Sequence, residues 1–553
     1  MASKDEEDAV VREKRAFDHL LEAVLTGRLN RRQVVSRAAA LGLSAASVRT
    51  LELAAAPASG GWALPSAVQE GTAKPGGILK VGLQADPTAL DPHKQSLTAI
   101  WHVVEHIYNG LTRIKPDLTV EPDLAESWEI SPDGLTYTFK LRPGVTFQDG
   151  TPLKASDVKF SFERLVDPAT ASPSASDLAS MERVEAPDDA TVVLTLKAPD
   201  ASLLAILASQ SCIVMSEQFV KANNNDVSQK AMGTGPFAFK EYVPNTRVVL
   251  EKNPTYYEEG LPYLDGLEML IASEDTARTT AVITGTVDFI EYAPLRDIPI
   301  LEQDPSIVLT GEANTNIRMI GFNCAKAPLD NPKVRQAIAA VIDREAVLGP
   351  TVFGYGTPTE VLFPESFWAA MPQEVRPPDV ERAKALLAEA GMADGFQTVI
   401  TSWSQYSFLS NAAVVIQEQL KQLGIEAELN LVENATMIDQ VYVQKAYDMA
   451  VTGTSAYVDP DQVMADFVTG ESGNFSNYSN PRVDELVQQG IASTDLAQRT
   501  EIYQEIQRIL LEDVPWVNLF IANQFEAMKQ DVKGYTHIAT GSNIELRRTW
   551  LDR

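Results

Sequence analysis

From residue 380 to residue 453 the chain alternates strand-like and helix-like runs so regularly that few folds can accept it. VERAKALLAEAG has helical spacing, TVITSW reads as a strand, and NAAVVIQEQLKQLG is again helical. EAELNLV follows as a strand, then a helix near 434–445, then the strand YDMAVTG. Alternation of this kind makes an α/β sheet with helices on both faces. An earlier stretch has the same grammar: LEMLIAS, DTARTTAVITG and VDFIEYAP predict a β-α-β unit, with a parallel pair and one right-handed crossover. Residues 118–200 differ, carrying short alternating strands such as TYTFKLRPG, and read as a small mostly-β unit in which Ser156 is placed to cap a helix.

At 553 residues the chain exceeds a single core and holds roughly three or four domain-sized units. Its net charge of −29 makes it a poor partner for nucleic acid or an anionic membrane surface. Cys212 and Cys324 lie far apart and form no CxxC, which excludes zinc-ribbon and thioredoxin-type readings. They are expected to be two separate small buried residues, with one disulfide as the alternative.

Residues 1–58 contain Arg31-Arg32, the moderately apolar run AAALGLSAAS and an Ala56-Pro57-Ala58 site. That is the layout of a secretory signal of twin-arginine type, although Arg49 and Glu52 interrupt the apolar stretch. A cytoplasmic amphipathic helix is the alternative. No cysteine lies near the cleavage region, so a soluble periplasmic protein rather than a lipoprotein is expected, and no run of ~18 apolar residues exists to span a membrane.

The stretch MGTGPFAFKEYVPNTRVVLEKNPTYY, residues 232–257, turns sharply at Gly233-Thr234-Gly235-Pro236 and continues as a strand pair. Upstream stand the L-D-P of ADPTALDPH, the helical TAIWHVVEHIYNGLTRI, and LAESW followed by LRPGVTFQDGTPLKASDV. Downstream comes APLDNPKVRQAIAAVIDR, with Pro332 in a first helical turn behind the cap Asn331. Taken in this order, from about Gly76 to the C-terminus, these strings resemble the extracytoplasmic solute-binding proteins of ABC importers, family 5. That large branch includes the dipeptide-, oligopeptide- and nickel-binding proteins.

The resemblance implies a two-lobed periplasmic-binding-protein fold of type II, large cluster. Lobe I would span 76–316 with an extra subdomain at about 118–232. Lobe II would span 317–514, and 515–553 would return to lobe I. Crossings near 312–318 and 513–518 would form the hinge. It implies no covalent chemistry and no cofactor. The expected partners are a small polar solute (a peptide, an oligosaccharide or similar) and ABC permease subunits, with the receptor a monomer.

In open α/β sheets ligands lie beyond the carboxyl ends of the strands. That rule selects Trp403, Ser404, Gln405 and Tyr406 after TVITSW, and Thr454, Ser455, Ala456, Tyr457, Val458 and Asp459 after YDMAVTG. It also selects Gln95, Ser96 and Thr98 after ILKVGL. Peptide-binding members that this chain resembles carry an aspartate three residues before the acidic-Pro pair, where it meets the peptide's ammonium. Here that position is Ala456, which argues against an ordinary free peptide amine unless Asp459 or Asp461 substitutes.

A rival reading starts from His102-Val103-Val104-Glu105-His106, the H-x-x-E-H of inverted zinc peptidases. Histidines at i and i+4 on one helix face would hold zinc, with the glutamate as base. The alternative is therefore a secreted zinc-dependent hydrolase.

Overall fold

The computed structural model describes residues 73–95, 98–372, 374–454 and 456–553. The signal-like segment 1–58 lies outside them. The strand–helix alternation of the second half forms as read. Gln397–Trp403 pairs in parallel with both Glu426–Val432 and Met449–Gly453. In the first half, Ile78–Leu83 pairs in parallel with Gly266–Ile271 on one side and with Phe289–Ile290 on the other. The two strands of the expected β-α-β unit are thus parallel but not neighbours, because Ile78–Leu83 lies between them.

One 11-stranded sheet joins the halves. Its middle is a long antiparallel ribbon made by Ile307–Phe322 and Trp516–Lys529. The ladder is regular from 307 to 313, Asn314, Thr315 and Asn316 then drop out of it, and a second shift falls between Arg318 and Met319, where Leu519 of the partner strand is skipped. The first break faces Ile521–Asn523, downstream of the 513–518 crossing expected from sequence. A local break of this sort bends and twists a strand, and it sits where the chain passes between the halves. Trp516–Lys529 is buried along nearly its whole length, as a strand paired on both edges requires.

Among the described residues three hydrophobic cores form. One, around Phe322, Ile338, Val451 and Phe467, belongs to the second half. Another, around Val81, Ile107, Phe237 and Phe289, belongs to the first. The third fills the mostly-β unit with Phe139, Phe162, Leu194 and Cys212, beneath a four-stranded antiparallel sheet. Both cysteines are free thiols, Cys212 in this last core and Cys324 half-buried against the second-half core.

Two local readings change. The helix of the mostly-β unit runs Ala155–Val166 with Lys154 as its cap residue, so Ser156 lies inside it, and the Asp157 carboxylate accepts the Lys154 N–H at 3.0 Å. Asn331 does cap the helix Pro332–Val341, its Oδ1 accepting the Lys333 N–H at 3.0 Å.

More consequential, the helix expected from residue 98 to 114 ends at Val104. The carbonyls that would extend it are taken by the Gly-Thr-Gly-Pro-Phe segment: Gly235 N–H donates to Ile107 O at 2.8 Å and Phe237 N–H to His106 O at 3.0 Å. Gln148 of the VTFQDG run closes the junction, accepting from Gly233 N–H at 3.1 Å and donating to Phe237 O at 2.9 Å. Three strings far apart in sequence therefore meet at one backbone junction.

Candidate functional site

The parallel strands of the second half end together, and their carboxyl ends carry an aromatic and polar surface. Trp403 closes its strand nearly buried, its indole N–H directed at Thr452 Oγ1 at 3.4 Å. Tyr442 shares that hydroxyl at 2.7 Å. Tyr406 packs edge-on against Trp403 with ring centroids 5.7 Å apart, yet remains 44% exposed. Phe408 extends the row at 5.8 Å from Tyr406. The Arg318 guanidinium lies 5.2 Å over the Phe408 ring, reaching in from the long ribbon just after its break. Thr454 ties the same corner together, accepting the Ile317 N–H through Oγ1 at 3.0 Å.

The H-x-x-E-H residues do not converge on a metal. Because the helix stops at Val104, His102 and His106 share no helical face. His102 Nδ1 is hydrogen-bonded to Glu291, and its ring stacks on Tyr292 with centroids 5.6 Å apart. Glu105 accepts from Asn543 N–H at 2.7 Å and from the Ser542 hydroxyl at 2.6 Å. His106 is buried edge-on to Phe237 with neither nitrogen bonded. Among the described residues no group of three His, Cys, Asp or Glu side chains is placed to hold a metal ion.

The His102–Glu291 pair does have a consequence for stability. Burial opposes the imidazolium, but the Glu291 carboxylate outweighs it and holds His102 at about 9. A raised folded-state value means the pair stabilises fully below the unfolded value of 6.5 and loses its contribution as pH climbs through about 9. Burial instead lowers His93 to about 4 and His106 to about 3, so these two destabilise the fold as the pH falls below 6.5. Unfolding free energies of wild type and His102→Gln from urea titration should therefore differ by something on the order of 2 kcal/mol near pH 6 and converge toward pH 10. A pH-independent gap would contradict the assignment.

With this geometry in place, the decisive comparison is with protein families. The model of the bacterial extracellular solute-binding proteins, family 5 Middle, matches residues 119–475. The chain belongs to this family. The glutathione-binding protein GsiB of Escherichia coli O1:K1 is 30% identical over 465 residues, covering 82% of this chain and 91% of that protein. Among solved structures, the PBP AgaA from A. tumefaciens R10 in complex with agropinic acid is 30% identical with a TM-score of 0.72, covering 86% of this chain and 99% of that one. The periplasmic binding protein DppA from Helicobacter pylori, in complex with the peptide STSA, is 28% identical with a TM-score of 0.72 and covers 87% and 99%. The fold is accordingly the two-lobed α/β fold of these proteins, and the function is solute binding for an ABC importer.

In this family 5 protein the residues expected to touch solute fall into two groups. Thr98, Gln405, Tyr406 and Ala456 are exposed, and Trp403 lies directly behind Tyr406. Tyr457 and Asp459 turn inward instead. The Tyr457 ring packs edge-on to Phe363 and Phe367, and its hydroxyl donates to Leu362 O at 2.7 Å. Asp459 is clamped by both terminal nitrogens of Arg499, at 2.9 and 2.7 Å. Asp461 is held by the same guanidinium at 2.7 Å, so both carboxylates already have a cationic partner. Ser96 and Ser455 lie outside the described residues. Arg318 and Phe408, packed beside Tyr406, were not among the residues selected by strand-end position, although an arginine inside the apolar run IRMIGF stands out in the sequence.

Proposed function

We propose that the protein is a periplasmic receptor which closes lobe I (76–316 with 515–553) and lobe II (317–514) over a peptide-like solute and presents the closed form to a membrane permease. The observation that carries this reading is an aromatic row, with Tyr406 exposed in front of the nearly buried Trp403 and the half-buried Phe408 beside it, at the carboxyl ends of three parallel strands and next to the break in the connecting ribbon. Aromatic faces flanked by hydroxyls suit a polar organic solute with some apolar surface. Solute contacts made only in the closed form supply the energy of closure, and no bond need be made or broken.

The solute class follows from relatives and from charge. GsiB is a glutathione-binding protein, and DppA was solved with a peptide. An ordinary peptide ammonium has no carboxylate waiting at Ala456, and pairing it elsewhere in lobe II would mean prising Asp459 or Asp461 from Arg499. A modified peptide, or a solute without a free α-amine, fits better. The twin-arginine-like segment supports export, the absence of a nearby cysteine supports a soluble protein, and the receptor is expected to act as a monomer.

Mass spectrometry of the solute retained on native protein, followed by calorimetry with that solute, tests the reading. Tyr406→Ala and Trp403→Ala should each weaken binding by about 1.5 kcal/mol, roughly tenfold, without changing the fold. Wild-type affinity in both variants would remove this surface from the site.

A further inference from the structure

Resting on the receptor reading above, we propose that Arg318 and the start of the helix Ser407–Leu420 form an anion site that takes a carboxylate of the solute. The guanidinium has no acidic partner among the described residues. Its one hydrogen bond runs from Nη1 to the neighbouring Ile317 carbonyl at 3.3 Å, and Nε is enclosed with nothing bonded to it. In a chain of net charge −29 a guanidinium left without an acid, and with its Nε unbonded, stands out. Burial lowers its pKa to about 10 with no carboxylate to offset the loss, so it remains a cation at neutral pH.

Two further features converge on the same point. Arg318 lies directly opposite Gly453 in the antiparallel ladder, and it crosses the space that a side chain there would fill. A Cβ on Gly453 would stand 2.6 Å from Arg318 Nη1 and 2.8 Å from Ile317 O, so the glycine keeps a channel open for the guanidinium. The helix Ser407–Leu420 begins beneath it, with Phe408 in its first turn. No side chain caps that end and no acid occupies the first turn. An uncapped helix start carries partial positive charge and free N–H groups, and a planar guanidinium binds a carboxylate in bidentate fashion. Together they make a cation-lined corner beside an aromatic wall. The solute is then oriented with its carboxylate on lobe II, the reverse of a site built around an aspartate.

Thermal melts of the full chain in sodium propionate and in sodium chloride at equal ionic strength test the site with a minimal probe. Propionate should raise the wild-type Tm by about 2 °C, should leave Arg318→Met unmoved, and should act weakly on Arg318→Lys. The variant without ligand should melt no lower than wild type, because an unpaired guanidinium contributes little to the fold. In a second arm, N-acetyl-trialanine as the free acid should bind wild type at least about 100-fold more tightly than its C-terminal amide, with the preference lost in Arg318→Met. Equal response of wild type and variant to propionate, or a ligand-free variant melting several degrees lower, overturns the site. A neutral solute that still compacts the protein in scattering would leave the receptor standing without it. A propionate effect without compaction by any solute would leave the anion site and overturn the receptor.

Discussion

Arg499→Met is expected to lower the stability of the second half by about 3–5 kcal/mol, the cost of breaking a buried ionic network from one side. Arg499 is buried beneath Trp368, whose ring lies 5.1 Å from the guanidinium carbon. Besides Asp459 and Asp461 it donates to Gly490 O at 3.1 Å. Removing it leaves two buried carboxylates facing one another, with the Tyr503 hydroxyl 2.5 Å from Asp461 and the Asp461 N–H 3.1 Å from Asp459 as neutral donors in place of a cation. Burial and the neighbouring Asp459 already push Asp461 up to about 8. Without the arginine, Asp461 loses the charge that opposes this rise, so the variant should regain stability as the pH falls and the pair takes up a proton. Urea unfolding of the variant at pH 7.5 and pH 5 checks both the size and the direction. A loss under about 1 kcal/mol, or one that grows on acidification, would contradict this account.

Gly233→Ala and Gly235→Ala should each cost about 3 kcal/mol or more, through collision rather than lost flexibility. A Cβ at Gly233 would stand 2.2 Å from Ile107 O, and one at Gly235 would stand 2.5 Å from Ile107 C. The obstacle is backbone, and moving it breaks the Gly235–Ile107 and Phe237–His106 hydrogen bonds that end the helix Thr98–Val104. Gly150→Ala is the control: with φ of +84° and nothing within 4 Å of the added carbon, it should show only the strain of a left-handed residue, about 1 kcal/mol. Circular dichroism melts of the three variants separate the cases. Gly233→Ala within about 1 kcal/mol of wild type would mean that the junction is not what fixes the Gly-Thr-Gly sequence.

Those glycines show how far sequence alone reaches. The turn at Gly-Thr-Gly-Pro and the strands after it were plain from residue type, and so was the alternation that builds the second half. The reason for two glycines was not plain, because the carbonyls they approach lie more than a hundred residues upstream. The helix at residue 98 was over-extended for the same reason: its apolar spacing continues past Val104, but tertiary partners claim its next carbonyls. At the site, strand-end position correctly marks a loop near the surface, yet it does not give direction. Tyr457 and Asp459 turn inward because Leu362 and Arg499, remote in the chain, supply their partners. Arg318 was visible as a charge in an apolar strand. That no acid meets it is a property of the folded chain only.

The central claim is that two lobes close over a solute, and small-angle scattering with the retained solute removed and restored measures that most directly. Closure predicts a radius of gyration smaller by on the order of 1 Å with the solute bound, reversed when it is dialysed away. Identical profiles at saturating solute, with binding confirmed by calorimetry on the same sample, would contradict it.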